Sequence, residues 1–559
     1  MINATSRAPL VLVLSVLTLL LSQPCIAQTY TCYVQLRDKE QSQYTLGHPE
    51  AFLSPKALER RRQQHIPIAP NDIPVSGAYV RQIAPLCRVA ATLRWTNGLL
   101  IRTDDISVAT RIGAFPFVSS VKVLSRGGAN TMYKALDAPR ISKTATPTTD
   151  STFYGAATRQ TTMIHLDRLH GLGYWGDSVV IAIMDAGFLY ADSSHYMRRV
   201  FEEGRLLYTW NFVFDTFEVY GNPRANPHGE ETFSCIAANV PYTIVGTAPN
   251  AQFMLFQTED NRSETIAEEY YWAAAAERAD SMGADVFSTS LGYTTFDQSD
   301  SADSHTYADM TGHTTPIARA VNTAASKGII VVNSAGNEGA NAWHYIATPG
   351  DADSGVTVGA VAPSAQIASF SSRGPNASGQ VKPDVCAQGA PANLVSPSNT
   401  IIANYGTSFS GPITAGAFAC LRQAFPSVPN MELVDIVRQS CTQYTHPDAD
   451  YGYGIPDFGM AYDKLKELYP QDTLTYVNYT RVFPNPFTST LKIVMTDLLH
   501  DSLNTAELYD ISGQKVWSGS AQTITFINNI WEIAPPANLA AGVYILSINR
   551  TRKYRLEKL

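Results

Sequence analysis

Charge is scarce in this chain. Only 16% of its 559 residues are Asp, Glu, Lys or Arg, and acids exceed bases to a formal net charge of −8. That balance lacks the basic excess or stripe that neutralises phosphates, which argues against a nucleic-acid partner. The short run Arg60-Arg61-Arg62 reads as a solvated helix face. Bilayer-length apolar segments are missing too. Leu10–Leu21 is a twelve-residue run, too short to span, and no later segment approaches that length. It follows Arg7 and precedes Cys25-Ile26-Ala27, whose small residues suit a signal peptidase, so residues 1–27 read as a secretory signal peptide. Cys25 has no Leu-small-small context before it, so no lipid anchor is read there.

Cysteine is sparse: seven in all, six after the signal, with no Cys-x-x-Cys pair to indicate zinc. An even number in an exported chain permits disulfides. Cys32 and Cys87 fall in one unit, where a bridge is open to them. Cys235 and Cys420 lie among small helical residues and read at least as well as buried free thiols. What is abundant is apolar and small: 45% of residues are hydrophobic, which suits a large buried core and excludes disorder. The length calls for three to four units.

The pattern changes three times along the chain. Residues 28–126 alternate a strand over Thr29–Leu36, a charged helix over Pro55–Gln64 behind a Ser54 cap, strands over Arg88–Leu93, Gly98–Arg102 and Phe117–Leu124, and a short helix over Ser107–Ala114. Two helices over a small antiparallel sheet make an α+β unit. The polar stretch Ser142–Thr152 reads as an exposed linker within 127–153. From about 154 to 468, apolar strands (Val179–Met184, Asp285–Ser288, Ile329–Val332, Val356–Val361) alternate with helices (Ile266–Met282, Pro316–Lys327, Ile413–Phe425). That is the signature of an α/β fold, a parallel sheet covered by helices on both faces. Residues 480–559 carry short strands between Gly, Asn and Pro turns, a small β-sandwich.

Four stretches stand where chemistry gathers. Asp185 ends the strand Val179–Met184, at the carboxyl edge where open α/β sheets place ligands. His228 precedes a small-residue helix. Asn337 follows the strand Ile329–Val332 in Ser-Ala-Gly-Asn. Ser408 sits in Gly-Thr-Ser-Phe-Ser-Gly-Pro at the start of the helix Ile413–Phe425, where backbone amides are unpaired. Each alone reads as a turn former, a solvated imidazole or a helix cap. In the order acid, His, Asn, Ser they read jointly as a base, its orienting acid, an oxyanion donor and a nucleophile.

This order and these motifs resemble the subtilisin-like (S8, subtilase) serine peptidases. The resemblance rests on Ile181–Gly187, His228-Gly229, Ser290-Leu291-Gly292, Ala335-Gly336-Asn337 and Gly406–Pro412, and covers about 154–468. It implies a secreted serine endopeptidase made as a zymogen, acting on protein or peptide substrates, with Ser408 as nucleophile, His228 as general base and acid, and Asp185 orienting the imidazole. Asn337 would hold the oxyanion, and Ser290, Leu291 and Gly292 would pair with substrate. No cofactor is implied for the chemistry; structural Ca²⁺ occurs in the family, and the sequence assigns it no ligands. Residues 28–126 resemble a Bacteroidetes-type prodomain, a folding aid and intramolecular inhibitor. Phe483-Pro-Asn-Pro-Phe487, Tyr509–Gly513, Gly542–Leu546 and the basic Lys553–Lys558 tail resemble a type IX secretion (Por) sorting domain, implying delivery through the periplasm to the surface or medium. There are departures: Glu230 stands where Thr usually follows His-Gly, Ala186 replaces Ser or Thr, and Phe409 replaces Met. Glu230 keeps open an inactive subtilase serving as a surface adhesin or scaffold. An acyl hydrolase of another class is disfavoured, because Ser408 follows Gly-Thr and lacks the Gly-x-Ser-x-Gly elbow.

Overall fold

The computed structural model describes residues 29–127, 143–144, 153–221 and 226–470, and most of 480–558. The signal segment 1–27 and nearly all of the 127–153 linker lie outside the described residues. The central sheet has seven parallel strands. In spatial order they are Val385–Gln388, Val356–Val361, Ile330–Ser334, Val286–Thr289, Val180–Asp185, Gln252–Gln257 and Leu206–Asn211. Three of these, at 206–211, 252–257 and 385–388, were not among the expected strands.

Alternation along Val180–Asp185 shows why the strand is apolar throughout. Ile181 and Ile183 join a core containing the helices Pro227–Ala237 and Thr407–Ala424. Val180, Ala182 and Met184 join a second core with the helices Ala267–Met282 and Pro316–Ser326. Both faces are covered, so no position is left for a polar side chain until Asp185. Every residue of the helix Thr407–Ala424 is buried. Such a helix carries no polar face, and its small residues let it lie close: a Cβ on Gly416 would fall 2.0 Å from Thr247 Oγ1.

The N-terminal unit is a four-stranded antiparallel sheet with strands Thr29–Leu36, Arg88–Leu93, Gly98–Thr103 and Val118–Gly127. It carries the two expected helices, at Pro55–Gln63 and Ser107–Gly113, and a third at Gly77–Ile83. The Ser54 hydroxyl accepts from Ala57 N–H and caps the first of these. Cys32, Val34 and Leu36 fill the unit's own core, while Tyr33, Leu93, Leu100 and Leu124 reach the core that contains the helix Ala267–Met282. Cys32 and Cys87 are free thiols, as are Cys235, Cys386, Cys420 and Cys441, so the bridge left open to the first pair is not formed.

Arg60 and Arg61 overturn the reading of a solvated basic run. Both are buried, and only Arg62 faces water, paired with Glu59. Arg60 Nη2 meets Asp280 Oδ1 at 2.5 Å, Arg61 bonds both Asp280 oxygens at 3.1 Å, and Arg94 closes on Oδ2 from a neighbouring turn. Asp72 and Lys327 extend the cluster. Burial alone would raise the Asp280 carboxyl; three guanidinium groups outweigh it and hold it at about 2. Beside it, Glu277 accepts from the backbone N–H groups of Arg94 and Trp95 at 2.5 and 2.9 Å. The N-terminal unit is thus keyed to the helix Ala267–Met282 by buried charge as well as by apolar packing.

The C-terminal strands form two four-stranded antiparallel sheets, and residues of both contribute to one small core around Ile493, Leu508 and Leu546. The basic tail is itself a strand, Arg552–Lys558, paired with Gly542–Ile548.

Removing the shared carboxylate should strip three buried arginines of their common counter-charge, with Asp72 left to pair with only one of them, Arg61. Asp280→Ala is expected to lower unfolding free energy by about 3–5 kcal/mol, read as a fall in denaturation midpoint. An unchanged midpoint would show that the cluster contributes no net stability.

Candidate active site

The acid and the imidazole meet because two backbones come unusually close. A Cβ at Gly229 would lie 2.2 Å from the Gly187 carbonyl oxygen and 3.1 Å from Asp185 Cβ. Only glycine lets the helix start seat itself against the turn after the strand. Asn226 caps that helix, accepting from His228 N–H at 2.9 Å, and its amide donates to Asn261, which in turn donates to Ala186 O. The result is a 2.7 Å hydrogen bond between His228 Nδ1 and Asp185 Oδ1. Asp185 is buried and both its oxygens are held: Ala186 N–H reaches Oδ1 at 2.7 Å and the Thr232 hydroxyl reaches Oδ2 at 3.0 Å. With the carboxylate on Nδ1, Nε2 is the nitrogen left for a proton from elsewhere.

Burial draws the His228 pKa down, but Asp185, by charge and hydrogen bond, and the more distant Glu231 and Glu259 outweigh it, raising it to about 9. Glu231 also ties the His helix to the Ser loop, accepting from Asn404 Nδ2 at 3.0 Å.

Ser408 is the second residue of the helix Thr407–Ala424, whose N-cap is Gly406. It stands beside Phe409, whose ring lies 6.1 Å from the His228 ring. Pro412 is inside this helix and has no N–H to offer the Ser408 carbonyl four residues back. The Ser290 hydroxyl takes that place, donating to Ser408 O at 2.9 Å. Ser290 and Leu291 are buried and Gly292 is exposed.

Asn337 is fixed through its oxygen. Thr407 N–H and the Thr407 hydroxyl both donate to Asn337 Oδ1, at 3.0 and 3.1 Å, and Gly336 N–H donates to the same hydroxyl at 3.1 Å. The carboxamide is thereby oriented with Nδ2–H₂ directed away from Thr407. One pair of residues, Thr407 and Asn337, joins the loop after the strand Ile330–Ser334 to the start of the Ser408 helix. Thr232, Asn226 and Thr407 were given no role in the sequence, and Glu231 was noted only as an acid following Glu230. Thr232, four residues after His228, is on the same helix face, and that spacing could have pointed to it.

A model of the subtilase family matches residues 176–454. Subtilisin from Bacillus pumilus is 31% identical over 290 residues, covering 51% of this chain and 92% of that protein. The chain belongs to the subtilase family. Subtilisin E of Bacillus subtilis is likewise 31% identical, and a thermostable alkaline protease of Halalkalibacterium halodurans is 27% identical over 300 residues. The chain spans 66% of the length of the first and 71% of the second. Around the subtilase domain, residues 31–135 match the peptidase S8 propeptide domain of Bacteroidota, and 481–559 match a secretion-system C-terminal sorting domain. That sorting domain marks the subtilase for export by type IX secretion to the cell surface or beyond. No helix among the described residues is long and apolar enough to cross a membrane.

Glu230, the departure beside His228, is fully buried, and neither of its oxygens has a hydrogen-bond partner among the described residues. Burial, and then Glu231, push its carboxyl well above the usual range. Burial without a hydrogen-bond partner favours its protonated form. Because the folded chain holds this proton more tightly than the unfolded one, the group's contribution to stability is present below the ordinary Glu range, near 4.3, and is lost as pH rises toward the raised value. Glu230→Gln should therefore denature at a higher urea concentration than the parent at pH 7–8, with the difference vanishing near pH 4. A gap independent of pH would mean that Glu230 is charged in the fold.

Proposed function

We propose that this subtilase is a secreted serine endopeptidase, made as a zymogen, that hydrolyses peptide bonds through an acyl-enzyme intermediate. The observation that carries the reading is the Asp185–His228 hydrogen bond of 2.7 Å, formed beside a Ser408 helix to which Asn337 is tied through Thr407. In this mechanism Ser408 Oγ attacks the scissile carbonyl and His228 Nε2 takes its proton. The imidazolium so formed is stabilised by Asp185 and returns the proton to the leaving amine. Negative charge on the carbonyl oxygen is met by Asn337 Nδ2 and the Ser408 N–H at the positive end of its helix. The segment Ser290-Leu291-Gly292 pairs with substrate backbone by strand addition, with Leu291 flanking the pocket before the scissile bond.

The remaining assignments follow the same reading: signal peptide 1–27, prodomain 28–126, a linker with the maturation site at 127–153, peptidase domain 154–468 and sorting domain 480–559. The prodomain is the intramolecular inhibitor, and the type IX machinery is the partner of the sorting domain. The chemistry asks for no cofactor. Glu230, buried and with its protonated form favoured, gives no support to an inactive scaffold.

A phosphonofluoridate probe should label the matured protein and fail on Ser408→Ala; equal labelling of both, or of neither, would refute the nucleophile. Asn337→Ala should lower kcat by about 10²–10³-fold with little change in KM, the loss seen when such a donor is removed from a subtilisin. For the matured enzyme, kcat/KM should rise with pH through an ionisation near 9, since the imidazole must lose its proton to act as base. In Asp185→Asn that midpoint should fall to the ordinary His range or below, and kcat by about 10⁴-fold. An unmoved midpoint would show that another group sets it.

A further inference from the structure

The segment leaving the strand Gln252–Gln257 runs directly past Asp185. Gln257 pairs with Asp185 in register, and Thr258 N–H donates to the Asp185 carbonyl at 3.0 Å. Beyond it, Glu259, Glu264 and Glu268 each turn a carboxylate oxygen to a common point, all within 4.8 Å of one another. None has a role in the mechanism above.

Two observations separate this cluster from an ordinary acidic surface. Glu268 is wholly buried in the first turn of the helix Ala267–Met282. Its Oε1 accepts only a long bond from Thr265 N–H, at 3.4 Å, and its Oε2 has no partner among the described residues. The next residue, Glu269, shows what a buried carboxylate normally finds: its two oxygens meet His305 Nε2 at 2.5 Å and Ile317 N–H at 3.1 Å. Independently, Tyr293 is fully buried, and its hydroxyl bonds to nothing among the described residues. The charges that act on that hydroxyl most strongly are Glu268, Glu259 and Glu264, in that order. Three convergent carboxylates, one of them buried with an oxygen that bonds to nothing among the described residues, mark a group of ligands without its centre. The segment's own cation, Arg262, is turned to Asp260 at 2.8 Å.

We propose that Glu259, Glu264 and Glu268, with the Tyr293 hydroxyl beside them, bind a divalent cation, Ca²⁺ in preference to Mg²⁺. The donors are all oxygen, which suits a hard ion. Calcium gathers six to eight oxygens at about 2.3–2.6 Å in irregular geometry, so its ligands lie up to about 5 Å apart. Magnesium demands a tighter octahedron at about 2.0–2.1 Å. Two of the three carboxylates are half-buried, leaving room for water to complete the shell. The bound ion would pin residues 258–268 against the strand end that carries Asp185.

The test uses the full chain carrying Ser408→Ala, stripped with EDTA and titrated with CaCl₂ by calorimetry, alone and with Glu264→Gln or Glu268→Gln added. The parent should bind one more Ca²⁺ than the variants, or bind it at least about tenfold more tightly. Terbium bound at the site should luminesce on tyrosine excitation, be displaced by Ca²⁺, and dim in Tyr293→Phe. In EDTA each Glu→Gln variant should melt at or above the parent, because like-charge repulsion is relieved; in Ca²⁺ the order should reverse. Equal stoichiometry, affinity and Ca²⁺-induced rise in Tm across parent and variants would overturn the proposal, as would variants that melt lower in EDTA as well. Unchanged Ca²⁺ binding with weakened binding of Lys- or Arg-containing peptides, relative to Ala-containing ones, would overturn it in favour of a pocket for basic side chains.

Discussion

Everything at the site depends on how near one helix start can come to one strand end. The 2.7 Å bond between Asp185 and His228 requires the chain at Gly229 to rest on the Gly187 carbonyl, closer than any side chain allows. Once that approach is made, the rest is forced. Thr232 falls on the second carboxylate oxygen, Asn226 on the helix N-terminus, and the Glu231–Asn404 bond draws the Ser loop toward the His helix. The parallel sheet supplies the other half of the constraint. Its carboxyl edge aligns the ends of Val180–Asp185, Val286–Thr289 and Ile330–Ser334, from which Asp185, Ser290 and Asn337 follow.

The fold was legible where the chain is buried on both sides. Val180–Asp185 and Val356–Val361 are apolar without a break, and a continuous run of that length has few readings. The strand Leu206–Asn211 was not legible. It lies at the sheet edge, most of its residues are half-exposed, and its Thr-Trp-Asn end looks like loop. Gln252–Gln257 begins and ends in Gln, and Val385–Gln388 is only four residues long, so neither presents the apolar stretch that periodicity detects.

The same division holds for the site. Asp185, His228, Asn337 and Ser408 announce themselves through small-residue motifs. Thr407 and Thr232, which fix the positions of two of them, are hydroxyls indistinguishable in sequence from helix formers and caps. Charge was the hardest to read. Arg60 and Arg61 lie on a helix with almost no apolar stripe, and what buries them is Asp280, some 220 residues away. Glu230 stood out in the sequence as a departure beside His228, yet the helix turns it inward, where burial favours its protonated form. A single sequence shows which residues can ionise; only the folded neighbourhood decides whether they do.

The proline inside the Ser408 helix has a mechanical meaning. A regular helix is closed upon itself, each carbonyl spoken for by its own chain. Pro412 opens one link near the N-terminus, and the hydroxyl of Ser290 fastens there. The second residue of the helix is therefore hinged to the end of the strand Val286–Thr289. What looks like a flaw in the helix is the point at which a neighbouring strand end is fastened to it.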